Sequence, residues 1–429
     1  MSSKTSYAPA EKTCVIIGGG MCGQNVATAL VKNDISVIIV QANDFTEQPV
    51  LQPWFLTRPE MYAGKAHTKK GSVANLDTVG IEGVRYVVGT VVELSDAKNQ
   101  IIFADGRKLD FGVLVVAAGI HYPALMAKPS ESFDERLAFV KAFPGKIRAA
   151  KSILVGGAGP VALEVASELR RVNPDPDCKI QLVTSGTHAL RTWTGTPRTV
   201  IAGRLAKTNI GVVAGARVVL PDDGSYVKGS AVYERADYKL SNGNTITDVD
   251  IFLPYFGLSR TGFLSEEMTG ARGRVKVNAH GQSLKNSSVF AVGCSDKYPV
   301  IVKPVIDKEA AVVVANIISI LKDGTSSSKL SALLPELPGE ASPMYVHLGL
   351  GQYTAMNLEQ KGCVPGLCGR CCGCCNPFCP CCACLGWPCM FPASECQGKC
   401  FEKILMTGGN MHPIHPAKAP VMAEMVRLG

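Results

Sequence analysis

The sequence predicts an α/β fold built on two parallel sheets, and two observations carry that expectation. The first is a pair of similar stretches, residues 13–31 and 152–169, in which a β-branched run breaks into a glycine-rich turn and resumes as a helix. The second is a pair of apolar strands, residues 110–119 and 248–257, each opening on an acid and closing on a glycine. A strand, a tight turn and a helix in that order begin a βαβ unit, so the repetition implies two such units.

Residues 1–12 are polar and are expected to lie outside the folded body. Thr13-Cys14-Val15-Ile16-Ile17 reads as a buried strand running into Gly18-Gly19-Gly20-Met21-Cys22-Gly23, a Gly-x-Gly-x-x-Gly pattern. Gly18 permits the turn, Gly20 lets the backbone approach a pyrophosphate, and Gly23 lets the helix pack close on the strand. Free N–H groups and the positive helix end then face the diphosphate, which makes this a Rossmann-type dinucleotide unit. Glycine supplies 43 of the 429 residues, so the pattern counts here only because a strand precedes it and a helix follows.

Residues 35–40 form the next strand, ending at Gln41, where an acid commonly accepts a hydrogen bond from a ribose. Gln41 is neutral, followed by Asn43 and Asp44. Residues 45–70 make a polar, proline-punctuated excursion in which Arg58 faces either a pyrophosphate or solvent. Short strands are expected around 85–94 and 101–103, with Asp105-Gly106 as a hairpin turn, and then a buried strand ending at Gly119.

The second signature is Ser152-Ile153-Leu154-Val155-Gly156-Gly157-Ala158-Gly159-Pro160-Val161-Ala162, with Gly156 its first glycine and Gly157, Gly159 and Ala162 in the three small positions. Two such units are more specific than one, because together they hold a flavin dinucleotide and a nicotinamide dinucleotide. The alternative is a repeated α/β core without a ligand. The strand over 179–183 leads into Thr184-Ser185-Gly186-Thr187, with His188 and Arg191 nearby. An acid there would suit a ribose 2′-hydroxyl, and Arg with small hydroxyls a 2′-phosphate, so NADPH is admitted beside NADH. Strand segments follow at 275–278 and 288–293, then a helix from Lys303 to Leu321.

Composition sets the outer bounds. A chain of 429 residues, 46% hydrophobic and 19% charged, has room for two or three domains with real cores. Its net charge of +8 is scattered, with no Lys/Arg run and no aromatic–basic interleaving, so nucleic acid is not expected as a partner. The longest apolar stretch, 310–321, is shorter than the ~18 residues a membrane span needs. The beginning of the chain shows no apolar signal core and no glycine for myristoylation, so an intracellular, non-secreted protein is expected. Of 17 cysteines, only Cys14, Cys22, Cys178 and Cys294 precede residue 363, and 13 crowd into 363–400. The body of the chain thus has the cysteine usage of a reduced compartment, with one special segment attached.

The order of the first glycine motif, the strand ending at Gly119, the second motif with Glu164, the strand ending at Gly257 and the Val289 to Gly293 run resembles the two-dinucleotide-domain flavoprotein reductases. Within them it is most similar to the apoptosis-inducing-factor-like branch, which includes ferroptosis suppressor protein and lies near the type II NADH dehydrogenases. The resemblance covers roughly residues 12–360. It implies an FAD-binding domain in two parts, 12–122 and 272–338, around an NAD(P)H-binding domain, 123–271, followed by a C-terminal α+β domain over 339–429. By position, Gly18, Gly19, Gly20, Met21, Cys22, Gly23, Arg58, Val87 and the Gly293 turn match FAD contacts of the family; Gly119 and Pro304 are expected at the cofactor too, as are Gln41 and Cys294, which depart from the family's residues there. Gly157, Gly159, Ala162, Glu164 and Gly257 match its nicotinamide-nucleotide contacts. The family carries Gly-Asp where this chain has Gly293-Cys294, and Asp296 is placed to reach the ribityl hydroxyls from a shifted turn. No side chain is assigned to catalysis, because the flavin carries the chemistry; Lys303, beside Pro304, either stands at the flavin edge or is solvated. Disulfide reductases of similar architecture need a redox cysteine pair beside the flavin, and residues 41–70 hold no cysteine.

The segment 363–400 has no counterpart in the family. Its overlapping Cys-x-x-Cys pairs, such as Cys368/Cys371 and Cys379/Cys382, suit zinc or an iron–sulfur cluster, although the spacing matches no standard finger. Acylated thiols beside Phe378, Leu385, Trp387 and Phe391 would instead anchor the chain to a bilayer. The third possibility is a Pro/Gly/Cys loop with no chemical role. The expected function is an FAD-dependent NAD(P)H oxidoreductase passing hydride on to a quinone-like acceptor at the cytoplasmic face of a membrane, whether lipid droplet, plasma membrane or mitochondrial surface. The alternative is a flavin-poor, redox-responsive or metal-binding interaction protein on a retained reductase scaffold.

Overall fold

The computed structural model describes residues 13–47, 80–95, 98–119, 125–191, 195–220, 235–256, 262–270, 273–298, 303–325 and 329–333, residues 53 and 56–59, and strands at 6–7, 73–75, 344–348, 353–357 and 391–392. The Cys-rich segment, apart from its two-residue strand, lies outside the described residues, as does Gly257. The first half of the chain runs β1 (Ser6–Tyr7), β2 (Thr13–Ile17), α1 (Met21–Val31), β3 (Ser36–Gln41), β4 (Phe45–Glu47), β5 (Val73–Asn75), β6 (Val84–Val88), β7 (Val91–Ser95), β8 (Gln100–Phe103), β9 (Lys108–Asp110) and β10 (Val113–Val116). There follow α2 (Phe133–Ala149), β11 (Ser152–Gly156), α3 (Pro160–Val172), β12 (Lys179–Thr184), α4 (Gly195–Lys207), β13 (Ile210–Ala214), β14 (Ala236–Lys239), β15 (Thr245–Val249) and β16 (Ile251–Pro254). The chain continues with β17 (Val289–Ala291), α5 (Lys303–Asp323), β18 (Met344–Leu348), β19 (Tyr353–Asn357) and β20 (Phe391–Pro392).

Two parallel sheets carry the fold. The first has the order β17-β10-β2-β3-β6 and the second β13-β12-β11-β16, every pair parallel. Every residue of β2 is buried, because both faces of its sheet are covered. Cys14 and Ile16 pack with Leu30 of α1 and Ile317 of α5, whereas Val15 and Ile17 pack with Leu94, Leu109 and Met268 on the other side. That two-sided burial is why the strand reads as an unbroken apolar run rather than as an alternation. Since β17 completes the first sheet after the second has formed, the chain leaves the first sheet at β10 and returns to it.

The excursion after β3 packs outward onto the second unit. Phe45 and Leu56 belong to the same core as Phe143, Leu163 and Leu182, and Glu47 pairs with the buried Arg136 of α2 at 2.7 Å. Helix α2 is positioned by its apolar stripe of Val140, Phe143 and Ile147 and starts on a capping box of Ser132 and Glu135.

The last turn of α3 is closed by an arginine. Arg170, 5% exposed, donates to the carbonyls of Asn173, Asp175, Cys178 and Asn209 at 3.2, 2.6, 2.7 and 2.9 Å. The guanidinium thereby ties the end of α3 and the loop after it to the residue that precedes β13. Arg170→Met keeps the stem and removes the guanidinium, so it should cost about 3 kcal/mol. Urea unfolding should show a lower midpoint at unchanged slope.

Candidate functional site

The two units repeat at the level of single backbone bonds. Gly18 N–H donates to Val40 O and Ala117 N–H to Ile17 O, both at 2.8 Å. Gly157 N–H donates to Val183 O and Tyr255 N–H to Gly156 O, both at 2.7 Å. Gly18 has φ +105° and Gly157 φ +112°, and a Cβ on either would overlap the carbonyl of Ala117 or Tyr255 on the following strand. Glycine is required at both turns for the same two reasons. The turn glycine of the second unit is therefore Gly157. Gly156, which the sequence offers as the first glycine of that motif, is the last residue of β11 and corresponds to Ile17.

Gly20 and Gly159 are the N-cap residues of α1 and α3. Neither helix has a side-chain cap or an acid in its first turn, and among the described residues the space where a Cβ would project is open at both glycines. Helix α2, by contrast, closes its own start with Ser132 and Glu135. The uncapped N–H groups of α1 and α3 are left for an outside anion, although Pro160 removes one of them from α3. Gly23 lies against Gly18 O where any Cβ would collide, and Ala162, 1% exposed, holds the same place in α3. Met21 and Cys22 are half-buried and buried on the first turn of α1. Gln24 Nε2 and Thr46 Oγ1 both donate to Gly19 O, at 2.9 and 3.0 Å, and so fix that peptide of the turn.

Gln41, at the end of β3, lies against Gly19 and donates through Nε2 to Phe45 O. Its Oε1 is buried with no donor among the described residues. That orphaned acceptor, at the strand end where dinucleotide folds meet a ribose, would fit a hydroxyl donor without bringing a charge. Val87, half-buried on β6, pairs with Val40 at the same edge. Gly119 follows β10 with φ +69°. Glu164 is half-buried on α3, and Lys303 and Pro304 open α5 with side chains outside the described residues.

The turn after β17 is held by a carboxylate that no sequence motif singles out. Glu309 of α5, 2% exposed, accepts from Gly293 N–H at 2.6 Å and from Ser295 Oγ at 2.5 Å. Burial pushes its carboxyl above the usual range, against those two donors and the nearby Arg274 guanidinium. Arg274 itself donates to Ser295 O and Tyr298 O at 3.2 and 2.5 Å. Gly293, φ +74°, packs on Cys22, whose Sγ would lie 2.6 Å from a Cβ at 293.

Three expectations need correction here. Cys294 turns into the apolar side of the sheet and donates to Val116 O at 3.1 Å, its thiol driven upward in pKa by burial, so it offers no acceptor to a ribityl chain. Asp296 does not compensate: its backbone pairs with Val275, and its exposed carboxylate accepts from Val277 N–H at 3.1 Å. Arg58 does not face a diphosphate. It forms a two-toothed pair with Glu168 of α3, at 2.9 and 3.2 Å, because that fully buried carboxylate requires cations and takes Arg171 and the Thr57 hydroxyl as well.

Residues 12–301 match the family model described as pyridine nucleotide-disulphide oxidoreductase, and the chain belongs to that family. It is 27% identical over 305 residues to apoptosis-inducing factor homolog B of Dictyostelium discoideum, covering 67% of this chain and 75% of that protein. Among solved structures it is similar in fold to NDH2 from Plasmodium falciparum in complex with NADH, with TM-score 0.59 and 12% identity over 81% of this chain and 90% of the other. It is similar also to the sulfide:quinone oxidoreductase from the hyperthermophilic bacterium Aquifex aeolicus, with TM-score 0.54 and 15% identity over 80% and 83%. The resemblance read from the ordered motifs is thereby upheld. The chain is an NAD(P)H-dependent flavoprotein oxidoreductase whose cofactors are FAD and NAD(P)H.

Proposed function

We propose that this oxidoreductase takes electrons from NAD(P)H and delivers them to a quinone-like acceptor at a membrane surface. In this reading the first unit holds FAD through the Gly18 to Gly23 turn, Gln41, Val87, Gly119 and the Gly293 turn. The second holds NAD(P)H through Gly157, Gly159, Ala162, Glu164 and Gly257. Bound there, the nicotinamide supplies hydride and the flavin accepts it and gives electrons on. The chain's own residues position and shield. The uncapped α1 and α3 termini take the diphosphates, Glu309 fixes the Gly293 turn, and the first turn of α5, at Lys303 and Pro304, brings a positive helix end to the flavin edge.

The observation that carries the choice of acceptor is the state of the thiols. No cysteine lies between Gln41 and Lys70, and Cys14, Cys178 and Cys294 are buried, with burial raising the pKa of each. A buried, protonated thiol is a poor nucleophile, so these three do not form a dithiol relay. In this reading electrons leave the flavin directly for an acceptor that docks beside it, and a quinone takes two. Among the described residues no helix is long and apolar enough to cross a membrane. The segment 363–400, with its thiols beside Trp387 and Phe391, is assigned the membrane contact by acylation.

Purified holoenzyme should oxidise NAD(P)H with a short-chain, water-soluble quinone. Deleting residues 363–400 should leave that turnover largely intact, while membrane co-sedimentation and turnover of a long-tailed quinone fall together. Hydroxylamine, which cleaves thioesters, should release the intact protein in the same way. A holoenzyme whose flavin is reduced by NAD(P)H but reoxidised by no quinone would refute the acceptor, and a deletion variant that stays on membranes would refute the anchor.

A further inference from the structure

The geometry points to NADPH rather than NADH as the electron donor, recognised at the end of β12 by a 2′-phosphate site that Arg191 completes. This rests on the proposed assignment of the second unit to the nicotinamide dinucleotide. In that unit Thr184 holds the place that Gln41 has in the first, one residue beyond the carbonyl that accepts from the turn glycine. A ribose with a free 2′,3′-diol is bound there by a carboxylate. Thr184 brings none, and its Oγ1 accepts from Gly186 N–H at 3.1 Å, which closes a tight turn. No acid occurs anywhere from Thr184 to Arg191. The turn is also pinned from beyond β13, where Ala216 N–H donates to Thr184 O at 3.0 Å and Gly215 N–H to Gly186 O at 2.9 Å.

The return of the chain is what places the cation. Leu190, at φ +53°, donates its N–H to Ala158 O at 2.8 Å, and Ala158 is the middle residue of the Gly157-Ala158-Gly159 turn. That bond ties residues 185–191 to the phosphate turn of the same unit. It also lays the Arg191 stem over Gly186, with its Cβ, Cγ and Cδ 3.1–3.2 Å from where a Cβ on Gly186 would sit. A side chain at 186 would displace the arginine. Arg191 is exposed and makes no ion pair or hydrogen bond among the described residues, and Ser185 and Thr187, the latter 2.9 Å from His188 Nδ1, are exposed on either side of Gly186. One guanidinium and two hydroxyls around an acid-free turn complement a phosphate ester, not a neutral diol.

The test uses the full-length, FAD-loaded protein and two small probes, adenosine 2′,5′-bisphosphate and 5′-AMP, titrated by calorimetry. The bisphosphate should bind roughly tenfold tighter or better, and Arg191→Gln should erase the difference. In turnover, the ratio of kcat/KM for NADPH over NADH should fall by about tenfold or more in Arg191→Gln, recover in part in Arg191→Lys, and invert in Thr184→Glu. Arg191 is exposed, so its variants are expected to fold. Equal binding of the two probes by the wild-type protein, or equal use of NADH and NADPH, would overturn the inference while leaving the second unit as the nicotinamide site. Binding of neither probe to a protein with full flavin content would overturn that assignment and this inference with it.

Discussion

Gly20→Val is expected to give a folded protein that has lost its flavin. At Gly20 the backbone lies at φ −74°, a conformation valine adopts freely, and among the described residues nothing beyond its chain neighbours and its own helix stands within 4 Å of the new Cβ. The substitution therefore costs the empty fold little. Its whole effect falls on whatever occupies that open space, and a branched side chain there would hold a pyrophosphate off the N–H groups that begin α1. Flavin per chain should drop to below roughly a tenth of the wild-type value, since a loss of 1.4 kcal/mol in binding already costs tenfold. Thermal stability should fall only by the share that bound FAD contributed, and added FAD should not restore it. The contrast with Gly18 makes the experiment interpretable. A side chain at Gly18 would overlap Ala117 O and occupy φ +105°, so its variants damage the fold itself and report nothing specific about the cofactor. Normal flavin content in folded Gly20→Val would remove FAD from the first unit.

Gly159→Val should do the reverse, keeping the flavin and isolating it from its reductant. Gly159 sits at φ −79° with open space on its Cβ side, so the fold again tolerates the change. Reduction of bound FAD by either nicotinamide nucleotide should slow by about a hundredfold, a barrier increase of roughly 2.7 kcal/mol. Stopped-flow absorbance in the flavin band reads this step directly, without an electron acceptor. Unchanged flavin reduction would mean that nucleotide binds elsewhere and would refute the two-site reading. The pair of variants thus assigns each unit independently: one loses colour, the other keeps colour and loses the rate.

Much of this was legible in the residues because the features concerned are local. A β-branched run that breaks at glycine, a helix that begins without a cap, and a strand that ends in small residues are each written in a few consecutive positions. Gly18, Gly23 and Gly157 are forced by a positive φ or by close backbone approach once strand, turn and helix are joined at that spacing, whereas Gly20 and Gly159 leave open space that the fold itself does not need. Even the equivalence of Ala117 and Tyr255, whose N–H groups close the two turns, follows from the matching runs over 110–119 and 248–257. Gly156 and Gly157 look alike in sequence, and it is the positive φ of Gly157 that marks the turn glycine.

Partner choice between distant segments was not legible. Arg58 appears in the sequence as an unattached cation in a polar excursion, yet Glu168 lies more than a hundred positions later and, once buried by α3, must gather positive charge. Glu309 reads as one more polar residue in a helix, and only the packing of α5 on the first sheet brings it under the Gly293 turn. Cys294 and Asp296 lie two positions apart in the turn after β17 with opposite fates: Cys294 bonds Val116 O inside the apolar core, and Asp296, whose N–H pairs with Val275, stays exposed. Arg191 was visible as a residue near a nucleotide strand, but the single bond from Leu190 to Ala158 is what lays it over Gly186. The sequence by itself determined where the backbone turns and where it leaves donors unsatisfied, since those depend on φ, on Cβ sterics and on hydrophobic period within a few residues. The tertiary structure alone decided which side chains answer those donors and which are spent on each other, since a buried charge or orphaned carbonyl takes whatever partner the packing delivers to it.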